Sequence, residues 1–238
     1  MGGLGNQLFQ INKAYELREF GLDIKLVDNL IQQDGIFATK FLKWKIHQDF
    51  TDQVYKHDFE IITKKNLLPI ILAKAKLFER YSSFKRSDFS CTHSKNMFGY
   101  FQKNVTIHLP IKNFTLKNQD PPEVMMHMRL TDNNNLYYSK KYYSKVLKNI
   151  INHKICIVTD DELNSEKFLE DNGVLNYKIL SGTVKEDFSR LANAKLLICA
   201  PSTFSFWAAI ANNFAQNIYV PKKFLEYIKK PPMNWIII

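Results

Sequence analysis

Over residues 124–220, short apolar runs alternate with amphipathic stretches, and this alternation limits the possible folds more than any other feature of the chain. Strands are expected at 124–130, 155–158, 177–180, 196–200 and 218–220, each a brief apolar run bounded by polar or turn residues. Helices are expected between them at 139–151, 164–172, 185–194 and 205–213, with Gly173 stopping the second. In the first of these, Tyr142, Tyr143, Val146, Leu147, Ile150 and Ile151 recur at the spacing of one helix face. Strands joined through helices form a parallel sheet covered on both faces. Ligands of such sheets sit beyond the carboxyl ends of the strands, so the residues after each strand are the candidate functional residues.

The first half reads differently. Gly2-Gly3-Leu4-Gly5 is a glycine-rich turn running into a helix expected at 7–20, with Leu8, Ile11, Ala14, Tyr15 and Leu17 on one face and Gly21 as its stop. A strand is expected at 24–27. No strand precedes the glycines, so either the start is shortened or another segment supplies the sheet. Residues 36–104 mix aromatics with lysines, and a helix is expected from Glu60 to Lys76, starting or bending at Pro69. Residues 104–117 read as a crossing segment. Asp120-Pro121-Pro122 is the strongest linker signal and divides the chain into lobes 1–119 and 120–238.

The chain has 238 residues, 45% of them hydrophobic, which supports a folded core and argues against disorder. A formal net charge of +10 attracts phosphorylated small molecules, nucleic acid or anionic lipid without choosing among them. No nucleic-acid motif accompanies that charge, and no nucleic-acid partner is expected. No apolar stretch approaches a membrane span. Cys91, Cys156 and Cys199 are widely spaced and two lie in apolar runs, which reads as buried thiols in a reducing, cytoplasmic setting. The positive charge adds the option of peripheral contact with an anionic membrane. A nicotinamide dehydrogenase is disfavoured, because the glycines do not form G-x-G-x-x-G.

Four clusters fall at the expected carboxyl ends. Strand alternation puts His127 and Arg129 on one side of their strand, and arginine's planar fork suits a diphosphate. Asp132 follows, either as a base or as a brace for its loop. Asp160 and Asp161 could ligate a divalent cation or cap the next helix. Asp187 opens a helix, where it would cap or accept the two edge N–H groups of guanine. Ser202, Thr203, Phe204 and Ser205 begin another helix, whose free N–H groups and dipole suit phosphate. Phe206 and Trp207 read as core.

Taken in order, these segments resemble the family 11 glycosyltransferases, the α-1,2-fucosyltransferases. Gly2-Gly3-Leu4-Gly5-Asn6-Gln7-Leu8-Phe9-Gln10 is similar to the family's opening segment, and Gly99-Tyr100-Phe101-Gln102 to its GYFQ segment. His127-Met128-Arg129-Leu130-Thr131-Asp132 resembles HxRRxD, with Leu130 in place of the second arginine. Tyr142-Tyr143-Ser144-Lys145 resembles the start of the following helix. Thr159-Asp160-Asp161 and Ser202-Thr203-Phe204-Ser205-Phe206-Trp207 resemble later turns of the family. The resemblance implies an α/β fold of GT-B type, with two Rossmann-type lobes, the N-terminal one reduced or irregular. It implies inverting transfer of fucose from GDP-fucose to a galactose-containing glycan, with no required cofactor or metal.

Carried over by position, Arg129 would hold the diphosphate, His127 would fix the nucleotide, and Ser202, Thr203 and Ser205 would bind phosphate. Gly3, Gly5, Asp160, Asp161 and Phe204 join the expected donor-binding set, and Asp187 would read guanine. Asn6 would lie near the fucose and the acceptor oxygen, and Asp132 is the carboxylate nearest the motif for a catalytic role. Two other readings stand beside this one. A metal-dependent nucleotide-sugar transferase would use Asp160 and Asp161. A non-catalytic relative would bind a GDP-sugar or glycan only, as the missing arginine at Leu130 would favour.

Overall fold

A computed structural model describes residues 4–27, 58, 60–62, 90–93, 96–99, 101–111, 122–131 and 136–238. The chain divides into two units, Met1–Pro110 and Ile111–Ile238. The expected boundary at 119/120 falls in a stretch outside the described residues.

In the first unit α1 (Leu4–Glu19) begins earlier than its sequence pattern implied. Gly5 therefore lies within its first turn rather than in a preceding loop, and Gly3 is outside the described residues. Leu4, Leu8, Ile11 and Ala14 form its buried stripe. Gly21 ends it in the left-handed region, at φ 79°, and its N–H donates to the Arg18 carbonyl at 2.9 Å. β1 (Lys25–Val27) pairs in parallel with β2 (Glu60–Ile62), Lys25 opposite Glu60. The helix expected from Glu60 thus does not begin there: Ile61 and Ile62 are β-branched and stiff at χ1, which favours extended backbone. The remainder of that expected helix lies outside the described residues. β3 (Ser90–His93) and β4 (Asn96–Gly99) form an antiparallel pair.

Asn12 ties residues 106–109 to α1. Its Oδ1 accepts the N–H groups of His108 (2.8 Å) and Leu109 (3.0 Å), and its Nδ2 donates to the Thr106 carbonyl at 2.8 Å. Nothing in the helical pattern marked Asn12 for this role.

The second unit is a six-stranded sheet made of β5 (Val124–Met128), β6 (Ile155–Thr159), β7 (Tyr177–Ile179), β8 (Leu196–Ile198), β9 (Asn217–Val220) and β10 (Trp235–Ile237). Every pairing in it is parallel, in the order β10-β9-β8-β5-β6-β7. The connecting helices are α2 (Leu136–Ile150), α3 (Glu162–Asp171), α4 (Val184–Ala192) and α5 (Thr203–Ala211). A 3-10 helix at Lys222–Glu226 leads toward β10. The α/β class and the parallel sheet agree with the sequence reading, whose strand and helix positions from 124 to 220 differ mainly at their ends. β10 and the 3-10 helix were not expected.

The pleat of β5 sorts its residues. Val124, Met126, Met128 and, beyond the strand, Leu130 join one apolar layer with Tyr142, Tyr143, Val146, Leu147 and Ile150 of α2 and Phe168 and Leu169 of α3. Ile151, expected in that layer, is exposed because α2 has ended. Elsewhere in the unit, Phe206 lies edge-on to Trp207, Phe224, Tyr227 and Trp235, with ring centroids 5.2 to 6.0 Å apart. Phe206 and Trp207 are fully buried, as a core role requires. Cys199 is buried and its thiol is pushed well above its ordinary pKa by desolvation, whereas Cys156 is only half-buried. The expectation of a buried thiol thus fails for Cys156.

Asn12→Ala leaves the half-buried N–H of His108 and the buried N–H of Leu109 without their acceptor, and should lower stability by about 2 kcal/mol. Urea unfolding measures it; a loss below about 0.5 kcal/mol would show that water or neighbouring groups replace the amide.

Candidate functional site

β5 and β8 are hydrogen-bonded neighbours although β6 and β7 intervene in sequence. From β5 the chain builds outward through β6 and β7, then returns to the other side of β5 with β8, β9 and β10. This reversal is the topological switch point of a doubly wound sheet, where the loops from adjacent carboxyl ends turn to opposite faces and open a crevice. Residues 129–131 leave β5 there and residues 199–202 leave β8.

The turn after β5 is held by side chains from two other elements. The Arg129 N–H donates to Tyr143 Oη of α2 at 3.2 Å. The Leu130 N–H donates to Asp160 Oδ1 at 2.8 Å, and Thr131 Oγ1 donates to Asp160 Oδ2 at 2.6 Å. The cause is register: Met128 pairs with Thr159, so the residues just past each strand lie side by side. Arg129 Nε is 3.9 Å from Asp160 Oδ2, both side chains being about a third exposed. Asp160 thus braces the turn that carries Arg129.

The turn after β8 is held by α5. Ser202 is its N-cap, accepting the Ser205 N–H at 3.2 Å. Ser205 Oγ accepts the Ala200 N–H at 3.0 Å and also bonds to His127 Nδ1 at 2.5 Å. His127 is 6% exposed and sits edge-on to Phe204, whose other neighbour is Phe188 of α4. The structure therefore brings His127, Phe204 and Ser205 together across the switch point. Ser202 Oγ and Ser205 Oγ thus act as acceptors within the turn, and the head of α5, with the half-buried Thr203 side chain, lies at the switch point.

Asp161 caps α3. Its Oδ1 accepts the Asn164 N–H at 3.1 Å and its Oδ2 accepts Asn164 Nδ2 at 2.6 Å. Those bonds hold its carboxyl below its ordinary pKa. Of the acidic pair, read in sequence as cation ligands or helix caps, Asp161 caps α3, while Asp160 takes a role not expected of it, bracing the β5 turn. Asp187 does not cap α4. Thr183 does, in a reciprocal box with Glu186, a Thr-x-x-Glu signature present in the sequence. Asp187 Oδ1 instead accepts from Arg190 Nη1 at 3.0 Å. Desolvation, with Glu186 adding to it, raises the Asp187 pKa despite the lowering by Arg190. A side chain at Gly182 would come within 2.5 Å of Arg190 Nη1 and 2.9 Å of Asp187 Oδ1, so the turn after β7 approaches this pair closely because residue 182 is glycine.

In the first unit, buried Asn6 accepts at Oδ1 from Gln102 Nε2 at 2.7 Å. Gln102 belongs to the GYFQ-like segment, so two separate sequence motifs are joined by one bond. Phe101 beside it has φ 50°, a conformation costly for a residue with a side chain. Asp132 lies outside the described residues. Among the described residues no cluster of His, Cys, Asp and Glu has the makings of a metal site, and no helix is long and apolar enough to cross a membrane.

By fold the second unit is a Rossmann-type lobe, with a cationic side chain and a helix N-terminus at its switch point. No family model and no curated protein matches the chain. A solved structure, E. coli heptosyltransferase WaaC with ADP, is similar at 12% identity and a TM-score of 0.39, over 76% of this chain and 52% of that one. The chain thus spans about half the length of that protein.

Leu130→Arg, which would restore the second arginine of the motif, forces a guanidinium into the α2 layer. It should cost about 3 kcal/mol or more in urea unfolding, as for an uncompensated buried charge; unchanged stability would mean that position 130 turns outward. Asp187 supplies a pH test. Its folded pKa lies above the unfolded value, so the folded state binds the extra proton and Asp187's contribution falls as pH rises through and above the carboxylate range. Relative to Asp187→Asn, the wild type should lose stability as pH rises through the carboxylate range; a relative gain would reverse the assignment.

Proposed function

We propose that the protein is an inverting glycosyltransferase that moves fucose from GDP-fucose to a hydroxyl, O2 of a galactose, on a glycan acceptor. The observation that carries the reading is the switch point itself: Arg129 and the head of α5 leave adjacent strands β5 and β8 at their carboxyl ends. Anions bind at such helix heads, and the segments that meet there are those that resemble the α-1,2-fucosyltransferases.

As the glycosidic bond breaks, the sugar gains oxocarbenium character and negative charge gathers on the departing GDP. Arg129 and the head of α5 supply fixed positive charge and dipoles for it. Such groups stabilise the transition state without reorganising, because Tyr143, Asp160 and Ser202 already hold them. Asp187 reads guanine through the carboxylate edge not turned to Arg190. By the family resemblance, Asn6 is the residue proposed near the fucose and the acceptor oxygen. Asp132 is the proposed brace or base. No cofactor is invoked, and a cation at Asp160 and Asp161 would have to share carboxylates that already hold the β5 turn and cap α3.

Leu130 favours a second reading, a relative that binds the GDP-sugar without turnover, because its place in the core leaves a single arginine at the motif. The test is incubation with GDP-fucose, GDP-mannose and UDP-galactose separately, each with a galactose-terminated glycan as acceptor, recording thermal stabilisation and nucleoside diphosphate release, with and without EDTA. GDP-fucose should stabilise most and release GDP even in EDTA. Binding without release would select the second reading, and a preference for UDP-galactose would overturn both. Arg129→Ala should slow release about 100-fold; near-normal turnover would remove Arg129 from the mechanism.

A further inference from the structure

Tyr143 is fully buried, yet its hydroxyl is not spent on the core. It accepts the N–H of Arg129, the first residue past β5. The next N–H, that of Leu130, is taken by Asp160 Oδ1, and Thr131 is held by the other oxygen of the same carboxylate. Leu130 is anchored among the α2 side chains. Three consecutive residues are therefore fixed from α2 and from the end of β6. Burial pushes the Tyr143 phenol above its ordinary pKa, so it stays neutral beside the guanidinium.

We infer that Tyr143, with Asp160, is a positioning residue for anion binding: the two fix the backbone of Arg129 so that its guanidinium meets a nucleoside diphosphate in one prepared orientation. The inference rests on the reading that this lobe binds GDP. Its physical content is that a long, rotamer-rich side chain binds more tightly when the backbone carrying it does not move. The bland alternative is that Tyr143 only packs, since its ring contacts Tyr142 and Phe168 at centroid distances of 5.3 and 6.2 Å. Phenylalanine keeps those ring contacts and removes only the oxygen.

The experiment is a double-mutant cycle on the full chain, with GDP as the probe and calorimetry as the readout, comparing wild type, Tyr143→Phe, Arg129→Ala and the double variant. Hydrogen exchange at the Arg129 amide is measured in parallel without ligand. Tyr143→Phe should weaken GDP binding about fivefold, the worth of one hydrogen bond, and should expose the Arg129 amide. In the Arg129→Ala background the same change should have no effect on affinity. Equal losses in both backgrounds, or an Arg129 amide that stays protected, would overturn the inference while leaving GDP binding intact. Absence of GDP binding by the wild type would instead overturn the donor reading, and this role with it. Should Tyr143→Phe fail to fold, Asp160→Asn enters the same cycle, with the same coupling to Arg129 expected and its absence contradictory.

Discussion

The two-residue period of β5 is the constraint on which the rest of the lobe depends. β5 lies between β6 and β8 in the sheet, so both its edges are paired and both its faces are covered. Val124, Met126, Met128 and Leu130 fill the layer beneath α2 and α3, while His127, of opposite parity, meets Ser205 and Phe204 of α5. A slip of one residue would drive an imidazole into the apolar layer and take it away from Ser205, so the register is strongly specified. That same register sets Thr159 beside Met128 and brings Asp160 to the turn that carries Arg129.

The acidic residues at the carboxyl edge are largely committed to structure. Asp160 accepts from Leu130 and Thr131, Asp161 from Asn164, and Asp187 from Arg190. What the edge offers an incoming anion is a partly exposed guanidinium and the head of a helix, beside carboxylates that keep their charge. Asp160 near Arg129 adds a counter-charge that steadies the guanidinium at a separation where solvent screens much of the attraction. A nearby carboxylate also limits how strongly the turn attracts anions, which places more weight on the N–H groups of α5.

Much of this lobe was legible because its elements are strongly periodic. The buried face of α2 and the strands from β5 to β9 follow from apolar spacing alone. β10 escaped because Pro231, Pro232 and Met233 precede a run of only three strand residues, and its pairing with β9 is a long-range event. The division of labour between Asp160 and Asp161 was not legible either. Adjacent aspartates after a strand look alike in sequence, and only the approach of residues 130 and 131, fixed by strand register, separates brace from cap. Thr183 could have been found from its Thr-x-x-Glu spacing, which would have released Asp187 from capping. The link between Asn6 and Gln102 spans most of the first unit, and no local pattern reports such a contact. Glu60 misled because a polar-apolar mixture with lysines resembles a helix, whereas its partner in β1 imposes an extended backbone.

The most direct measurement is a structure determined with GDP bound. The diphosphate should lie within hydrogen-bonding distance of the Arg129 guanidinium and the first-turn N–H groups of α5, with guanine toward Asp187. A diphosphate held elsewhere, with residues 129–131 and the head of α5 untouched, would contradict the switch-point assignment.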